Sequence, residues 1–298
     1  MAKGRKTGHL ITEKINPKSF TLDTLSPLEI IELIVEEDKK VAEAVEREKI
    51  NIAKAVDLIV GGLSRGGRLF FIGAGTSGRL GVMEAAECPP TFGTRPNLIK
   101  GIIAGGKKAL WRSIEGAEDS RREAKEALIK IELGREDIVV GIAASATTPF
   151  VEAGLSYAKK KGCGRILITC NPVNSPFADV TVSLIVGPEI VTGSTRMKAA
   201  TATKMALNIL TTASMVRLGK TYGSLMVEVQ PNSQKLRDRA TRITMQILRA
   251  SRQKAERLLR KSDWDIKAAV VMEKKKLTYK EAKELLEKHN GFLRETLK

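Results

Sequence analysis

The chain has 298 residues, 42% of them hydrophobic, enough for one α/β domain of ordinary size with smaller helical additions. No apolar run approaches the ~20 residues that cross a bilayer. The only histidines, His9 and His289, lie near the chain ends, and Cys88, Cys163 and Cys170 match no disulfide or metal-ligand spacing, which argues against a Ser-His triad, a His-based zinc site and a His general base.

The opening "MAKGRKTGHLITEKINPKSF" is basic but lacks the apolar core of a signal peptide, so the expected location is the cytoplasm. Residues 1–55 read as an irregular arm and a helix. Ser26 before Pro27 is a good helix start, and Ile30, Ile31, Ile34, Val41 and Val45 recur at helical spacing. Residues 56–224 alternate short apolar strands with helices. Strands are expected at 68–73, 98–104, 137–144, 164–170 and 182–186, and "SIEGAEDSRREAKEALIKI" and "TPFVEAGLSYAKKKG" supply helices between them. Strands apolar throughout are buried on both faces, so the pattern predicts an α/β fold: a doubly wound five-stranded parallel sheet with ligands beyond the strands' carboxyl ends. A long helix over about 194–218 closes this zone.

Residues 225–298 read as a small helical domain, with capping boxes at Ser262/Asp265 and Thr278/Glu281 and a stop at Asn290-Gly291. The stretch holds 19 Lys and Arg against 10 Asp and Glu, so it carries 9 of the 17 net positive charges. Its aromatics, Trp264, Tyr279 and Phe292, make a poor stacking surface for nucleic acid. A solvated basic face that steers an anionic substrate is the better reading, with neither nucleic acid nor membrane as partner.

The first strand runs into "FFIGAGTSGRLGVMEAAECPP", a G-x-G-x-x-G at Gly73, Gly75 and Gly78. A dinucleotide would need an acidic residue after the second strand, where Gly105-Gly106-Lys107-Lys108 stands instead. No Walker lysine follows either. Glycines, the hydroxyls of Thr76 and Ser77, and a helix expected to begin near Ser77 suit a terminal phosphomonoester. Two more hydroxyl clusters, Ser145, Thr147 and Thr148 after the third strand, and Ser194 and Thr195 with Arg196 and Lys198 at the long helix, can converge on the same anion. Each alone is also an ordinary helix cap.

Together "FFIGAGTSGRLGVMEAAECPPTFG", "IEGAEDS", "VVGIAAS" and "IVTGSTRMKAATATKMALNIL" closely resemble bacterial N-acetylmuramic acid 6-phosphate etherases of the sugar isomerase (SIS) superfamily. The resemblance runs from "LITEKINP" at 10–17 to "HNGFLRETL" at 289–297. It implies cleavage of the lactyl ether at C3 of an amino-sugar phosphate in cell-wall recycling, a homodimer, and no metal or redox cofactor. It places the phosphate site at Gly75, Thr76, Ser77, Gly78, Ser145, Thr147, Thr148, Ser194 and Lys198. It also implies that Glu87 in "AECPP" is a proton donor and Glu118 in "EGAED" a second active-site glutamate.

Two departures stand out. The family pattern has Ser-Gly-Arg-Thr-Pro where this chain has Ser145-Ala146-Thr147-Thr148-Pro149, and Met-Lys-Ala-Gly where it has Met197-Lys198-Ala199-Ala200. A positive φ at Ala146 would make its Cβ costly.

The implied chemistry wants two carboxyls: a base for the C2 proton, made acidic by the open-chain aldehyde, and an acid for the departing lactate oxygen. Glu87, on a helix that Pro89 and Pro90 are expected to stop, is assigned the acid role on an expectation of partial burial, and Glu118 the base role. From position alone, Glu84 and Glu87 could be neighbours on one helix face, and Glu115 and Asp119 compete with Glu118. Two other functions fit the motifs: a non-catalytic sugar-phosphate sensor of the glucokinase regulatory protein type, and an SIS aldose-ketose isomerase. The C-terminal helices resemble a small ubiquitin-associated-like fold, for which packing or dimer contacts are the expected role.

Overall fold

The structure, a computed structural model, describes residues 8–298; residues 1–7, part of the basic opening read above, lie outside them. The chain forms two compact units: residues up to Ala86 with Asn97–Thr211, and Glu87–Pro96 with Thr212–Lys298.

In the first unit, helix α1 (Pro27–Asp38) starts where Ser26 and Pro27 predict. The Ser26 hydroxyl accepts the Glu29 N–H while the Glu29 carboxylate accepts the Ser26 N–H. Helices α2 (Lys40–Arg47) and α3 (Lys49–Ser64) follow after one-residue breaks. The buried stripe is Leu33, Glu37, Val41, Ala44 and Val45, while Ile31 faces solvent. The apolar spacing missed this register because a charged residue, Glu37, occupies the inner face, where a partner described below neutralises it.

The sheet consists of β1 (Leu69–Gly73), β2 (Ile99–Ile103), β3 (Ile138–Ile142), β4 (Gly164–Thr169) and β5 (Val180–Ser183), all parallel, in the order β2-β1-β3-β4-β5. Helix α4 (Gly75–Phe92) connects β1 to β2, α5 (Arg121–Lys130) precedes β3, and α6 (Pro149–Lys161) connects β3 to β4. Side chains alternate across the pleat. Phe70, Ile72 and Val139 pack with Leu128, Phe150, Val151 and Leu155 of α5 and α6 on one face. On the other, Phe71 and Ile142 meet Gly81 of α4, and Ile138 meets Gly62 of α3.

The fifth strand comes two residues earlier than expected. Leu184 N–H still bonds to Thr169 O at 2.7 Å, but Ile185 N–H turns back to Ser183 O at 2.9 Å, so the ladder ends while Leu184 and Val186 stay buried. The apolar run records burial rather than pairing.

Close helix–sheet approach depends on glycine. A Cβ on Gly101 of β2 would lie 2.4 Å from Val82 Cα in α4, a backbone atom that cannot step aside. Gly101→Ala is expected to destabilise the protein by about 2–3 kcal/mol, read as a lower urea midpoint.

Helix α7 (Lys198–Arg217) begins four residues later than the motif suggested. In the second unit, the short hairpin β6 (Thr221–Tyr222) and β7 (Leu225–Met226) precedes α8 (Gln234–Leu248), α9 (Arg252–Lys261), α10 (Ile266–Lys275), α11 (Tyr279–Lys288) and α12 (Leu293–Leu297). Ile243, Leu258, Leu259, Ile266, Val270, Leu286 and Leu293 form their core. The Thr278/Glu281 capping box is present. Ser262 instead ends α9, its hydroxyl donating to Leu259 O and Asp265 O, and Asp265 itself caps α10 through Ala268 N–H. Asp265 can accept from the free N–H groups with its own side chain, so no serine is needed.

Among the described residues no helix is long and apolar enough to cross a membrane. All three cysteines are buried, and none forms a disulfide. Burial pushes Cys163 up to about 11 and Cys170 up to about 12, which removes both as nucleophiles at neutral pH.

Candidate active site

The sheet order reverses between β1 and β3: β1 continues to β2 on one side, and β3 to β4 on the other. Gly73 and Ile142, their last residues, are register partners, so the loops leaving both strands meet above one crevice. A cleft of about 890 Å³ opens there. Ala74, Gly75, Thr76 and Ser77 line it from the first loop, and Ala144, Ser145, Thr147, Thr148 and Pro149 from the second. Glu118, Asp119 and Arg121 line it from the segment after β2, with Gly193 and Thr195 and the arm residue Glu13.

The cleft offers donors. Helix α4 begins at Gly75, two residues before the expected start, and its first bond is Gly78 N–H to Ala74 O at 3.2 Å. The N–H groups of Gly75, Thr76 and Ser77 therefore have no intrahelical acceptor. Helix α6 begins after Thr148, whose side chain does not cap it. Two positive helix ends thus stand at the crevice, a setting for an anion. Ser145 Oγ accepts from both the N–H (3.2 Å) and the hydroxyl (3.0 Å) of Thr147, which leaves the Ser145 hydroxyl proton free to donate. The one guanidinium in the lining, Arg121, is paired with Glu152 at 2.7 Å. Hydroxyls and backbone amides rather than lysines are the donors this lining offers.

Ala146 has φ +60°, in the left-handed region, where the family pattern has glycine. The turn is closed by Ala146 N–H to Ala143 O at 2.9 Å. A Cβ in this region costs about 1 kcal/mol or somewhat more. Ala146→Gly is accordingly expected to stabilise the protein by about 1 kcal/mol, visible as a rise of a few degrees in Tm.

Several expected site residues lie outside the lining. Gly78 packs instead: a Cβ there would sit 2.6 Å from Gly73 O, so its role is to let α4 close onto β1. Glu84 is buried and accepts the Thr211 hydroxyl at 2.5 Å. Glu87 belongs to the second unit and is exposed, so the partly buried setting expected for it is absent. Pro89 and Pro90 do not stop α4, which continues to Phe92. The Pro89 carbonyl accepts Gly93 N–H at 3.0 Å, and Gly93 turns at φ +62°.

Ser194 lies in a turn between the lining residues Gly193 and Thr195. Lys198 is 1% exposed and its ammonium donates to the buried Glu37 carboxylate, not to the cleft. The start of α7 is closed as well, because the Glu189 carboxylate accepts Ala199 N–H at 2.9 Å. Burial holds Glu189 above the usual carboxylate range despite that bond. The cap at the start of α7 is therefore a carboxylate, Glu189, in place of the hydroxyls expected there.

Glu13 and Arg121 were not among the predicted site residues, whereas Thr195 belonged to the third hydroxyl cluster and Asp119 competed with Glu118. Glu13 carried no local signal, since what brings it to the cleft is contact with residues about 160 positions away. Among the described residues no group of three or more His, Cys, Asp or Glu is arranged to hold a metal ion.

Residues 51–159 match the family described as "Glucokinase regulatory protein N-terminal SIS domain". Over nearly its whole length the chain is similar to proteins named N-acetylmuramic acid 6-phosphate etherase. The Clostridium botulinum (strain Okra) protein is 48% identical over 291 residues, covering 97% of this chain and 96% of that one. That of Trichodesmium erythraeum is 49% identical over 296 residues (99% and 96%), and that of Picosynechococcus sp. 48% over 293 (98% and 97%). Identity of this extent, on a parallel sheet with its crevice at the reversal point, makes the chain a member of the N-acetylmuramic acid 6-phosphate etherase family.

Proposed function

We propose that the protein cleaves the C3 lactyl ether of N-acetylmuramic acid 6-phosphate, giving N-acetylglucosamine 6-phosphate and D-lactate. The observation that carries this reading is the cleft itself, where free N–H groups at 75–77 and the hydroxyls of Ser145 and Thr148 stand in one lining with the Glu118 carboxylate. The phosphoryl group takes the N–H and hydroxyl donors. With the sugar ring open, Glu118 removes the C2 proton next to the C1 aldehyde, the C3–O bond breaks, and its electron pair leaves with the lactate oxygen, which is protonated. Water then adds across the C2=C3 double bond, its oxygen at C3 and a proton at C2. The net change is hydrolysis of the ether. Glu87 is kept as the proton donor to lactate on the family motif alone.

The same reading makes the protein a cytoplasmic homodimer in cell-wall sugar recycling, on the strength of its family. Incubation with N-acetylmuramic acid 6-phosphate and an enzymatic assay for D-lactate tests the activity. The match of residues 51–159 favours one second reading, a sugar-phosphate sensor that binds without turnover. Saturable binding with no lactate would establish that reading in place of the first.

A further inference from the structure

Glu13 sits in a short 3-10 turn, Ile11–Glu13, of an arm that has little regular structure of its own. Buried polar residues hold that arm in place. Asn171, 1% exposed at the carboxyl end of the sheet, accepts Ile11 N–H at 2.7 Å through Oδ1. Its amide donates to Thr12 Oγ1 at 3.1 Å and to Ala144 O at 2.9 Å. Thr12 is 1% exposed, and Asn16, 3% exposed, donates to Pro188 O at 3.1 Å. Between these anchors the Glu13 side chain lines the cleft, its Oε2 against Gly193. Its carboxylate makes no hydrogen bond or ion pair among the described residues. A fixed backbone thus holds a solvent-exposed carboxylate without a partner in a lining that offers N–H and hydroxyl donors and, on another wall, the Glu118 and Asp119 carboxylates, a place from which it can accept from a ligand in the cleft.

We infer that Glu13 is a substrate-binding residue that accepts hydrogen bonds from the neutral donors of the sugar, its hydroxyl or amide N–H groups, and that Asn171 positions it. The inference rests on the sugar-phosphate reading above and adds to it a polarity of the cleft. Backbone amides and hydroxyls hold the phosphate, and the arm's carboxylate reads the sugar. A carboxylate has no proton to offer the phosphate, so Glu13 contributes to binding of the whole sugar phosphate and not of inorganic phosphate.

Calorimetric titration with N-acetylglucosamine 6-phosphate and with inorganic phosphate tests this in the full chain. Glu13→Ala is expected to weaken the sugar phosphate about 10- to 100-fold and inorganic phosphate by less than twofold, with Glu13→Gln intermediate for the sugar phosphate. Asn171→Ala should reproduce the Glu13→Ala loss, and the double variant should lose no more than either single one. Unchanged sugar-phosphate affinity in Glu13→Ala overturns the inference, as does an equal loss for both ligands; additive losses overturn the role of Asn171. If wild-type protein binds N-acetylglucosamine 6-phosphate and releases lactate while Glu13→Ala behaves alike, only this inference falls. If wild-type protein neither binds that sugar phosphate nor releases lactate, the functional reading falls and takes this one with it.

Discussion

Glu118→Ala is expected to lower kcat for lactate release about a thousandfold while changing the affinity for N-acetylglucosamine 6-phosphate by less than a few-fold. Three carboxyls compete for the base role in "IEGAED", and two of them, Glu118 and Asp119, line the cleft. Glu115 accepts the Ser113 hydroxyl at 2.9 Å and does not line the cleft. Asp119 lines it, but its N–H closes the turn on Gly116 O at 3.2 Å and it is the shorter side chain. Glu118 lines the cleft from the 3-10 turn Ala117–Asp119, which Gly116 enters at φ +73° and buried Ala117 anchors to the core. Asp119→Asn should cost much less than Glu118→Ala. Deuterium incorporation at C2 from heavy water should vanish with lactate release in Glu118→Ala. Exchange that persists at the wild-type rate would assign the base elsewhere.

Lys198→Ala is expected to destabilise the first unit by about 3 kcal/mol, because it leaves the buried Glu37 carboxylate with only the half-exposed Lys40 as partner. Glu37 and Lys198 are 2% and 1% exposed and come from α1 and α7, 161 positions apart. Burial alone would push the Glu37 carboxyl up, but the hydrogen bonds from Lys198 and Lys40 outweigh it and bring it from 4.5 down to about 2. A group depressed in this way stabilises the fold fully above its ordinary value, and the contribution fades as the pH falls from about 4.5 toward 2. The double variant Glu37→Met/Lys198→Met should recover most of the loss and flatten that acid limb, since matched apolar side chains replace a buried pair at little cost. Urea denaturation at pH 7 and pH 4 measures both effects. A Lys198→Ala variant as stable as wild type would show that the pair is not structural, and a loss of sugar-phosphate binding without loss of stability would return Lys198 to the site.

The sheet was legible because its strands are buried on both faces and so carry their signature in composition: β1 and β3 are buried at every position. The two loops that line the cleft were legible for a related reason, since glycine and hydroxyl residues follow directly on the ends of strands that pair in register. What stayed hidden depended on partners distant in sequence. Lys198 looks like a phosphate ligand beside "GSTRM" until Glu37 is seen to bury it. The start of α7 looks like a free helix end until Glu189 is found capping it. Glu13 reaches the cleft through an arm held by Asn171 and Pro188, far away in sequence. Ala146 shows the opposite case, where the family pattern foresaw a left-handed turn and the backbone has one at φ +60°.

In the proposed reaction the crevice between β1 and β3 takes the phosphoryl group of an amino sugar and turns its C2 toward Glu118. A crystal structure with N-acetylglucosamine 6-phosphate tests it most directly. Phosphoryl oxygens are expected within hydrogen-bonding distance of the N–H groups of residues 75–77 and the hydroxyls of Ser145 and Thr148, with C2 facing the Glu118 carboxylate. A phosphoryl group bound anywhere else, or a sugar whose C2 faces away from Glu118, would contradict it.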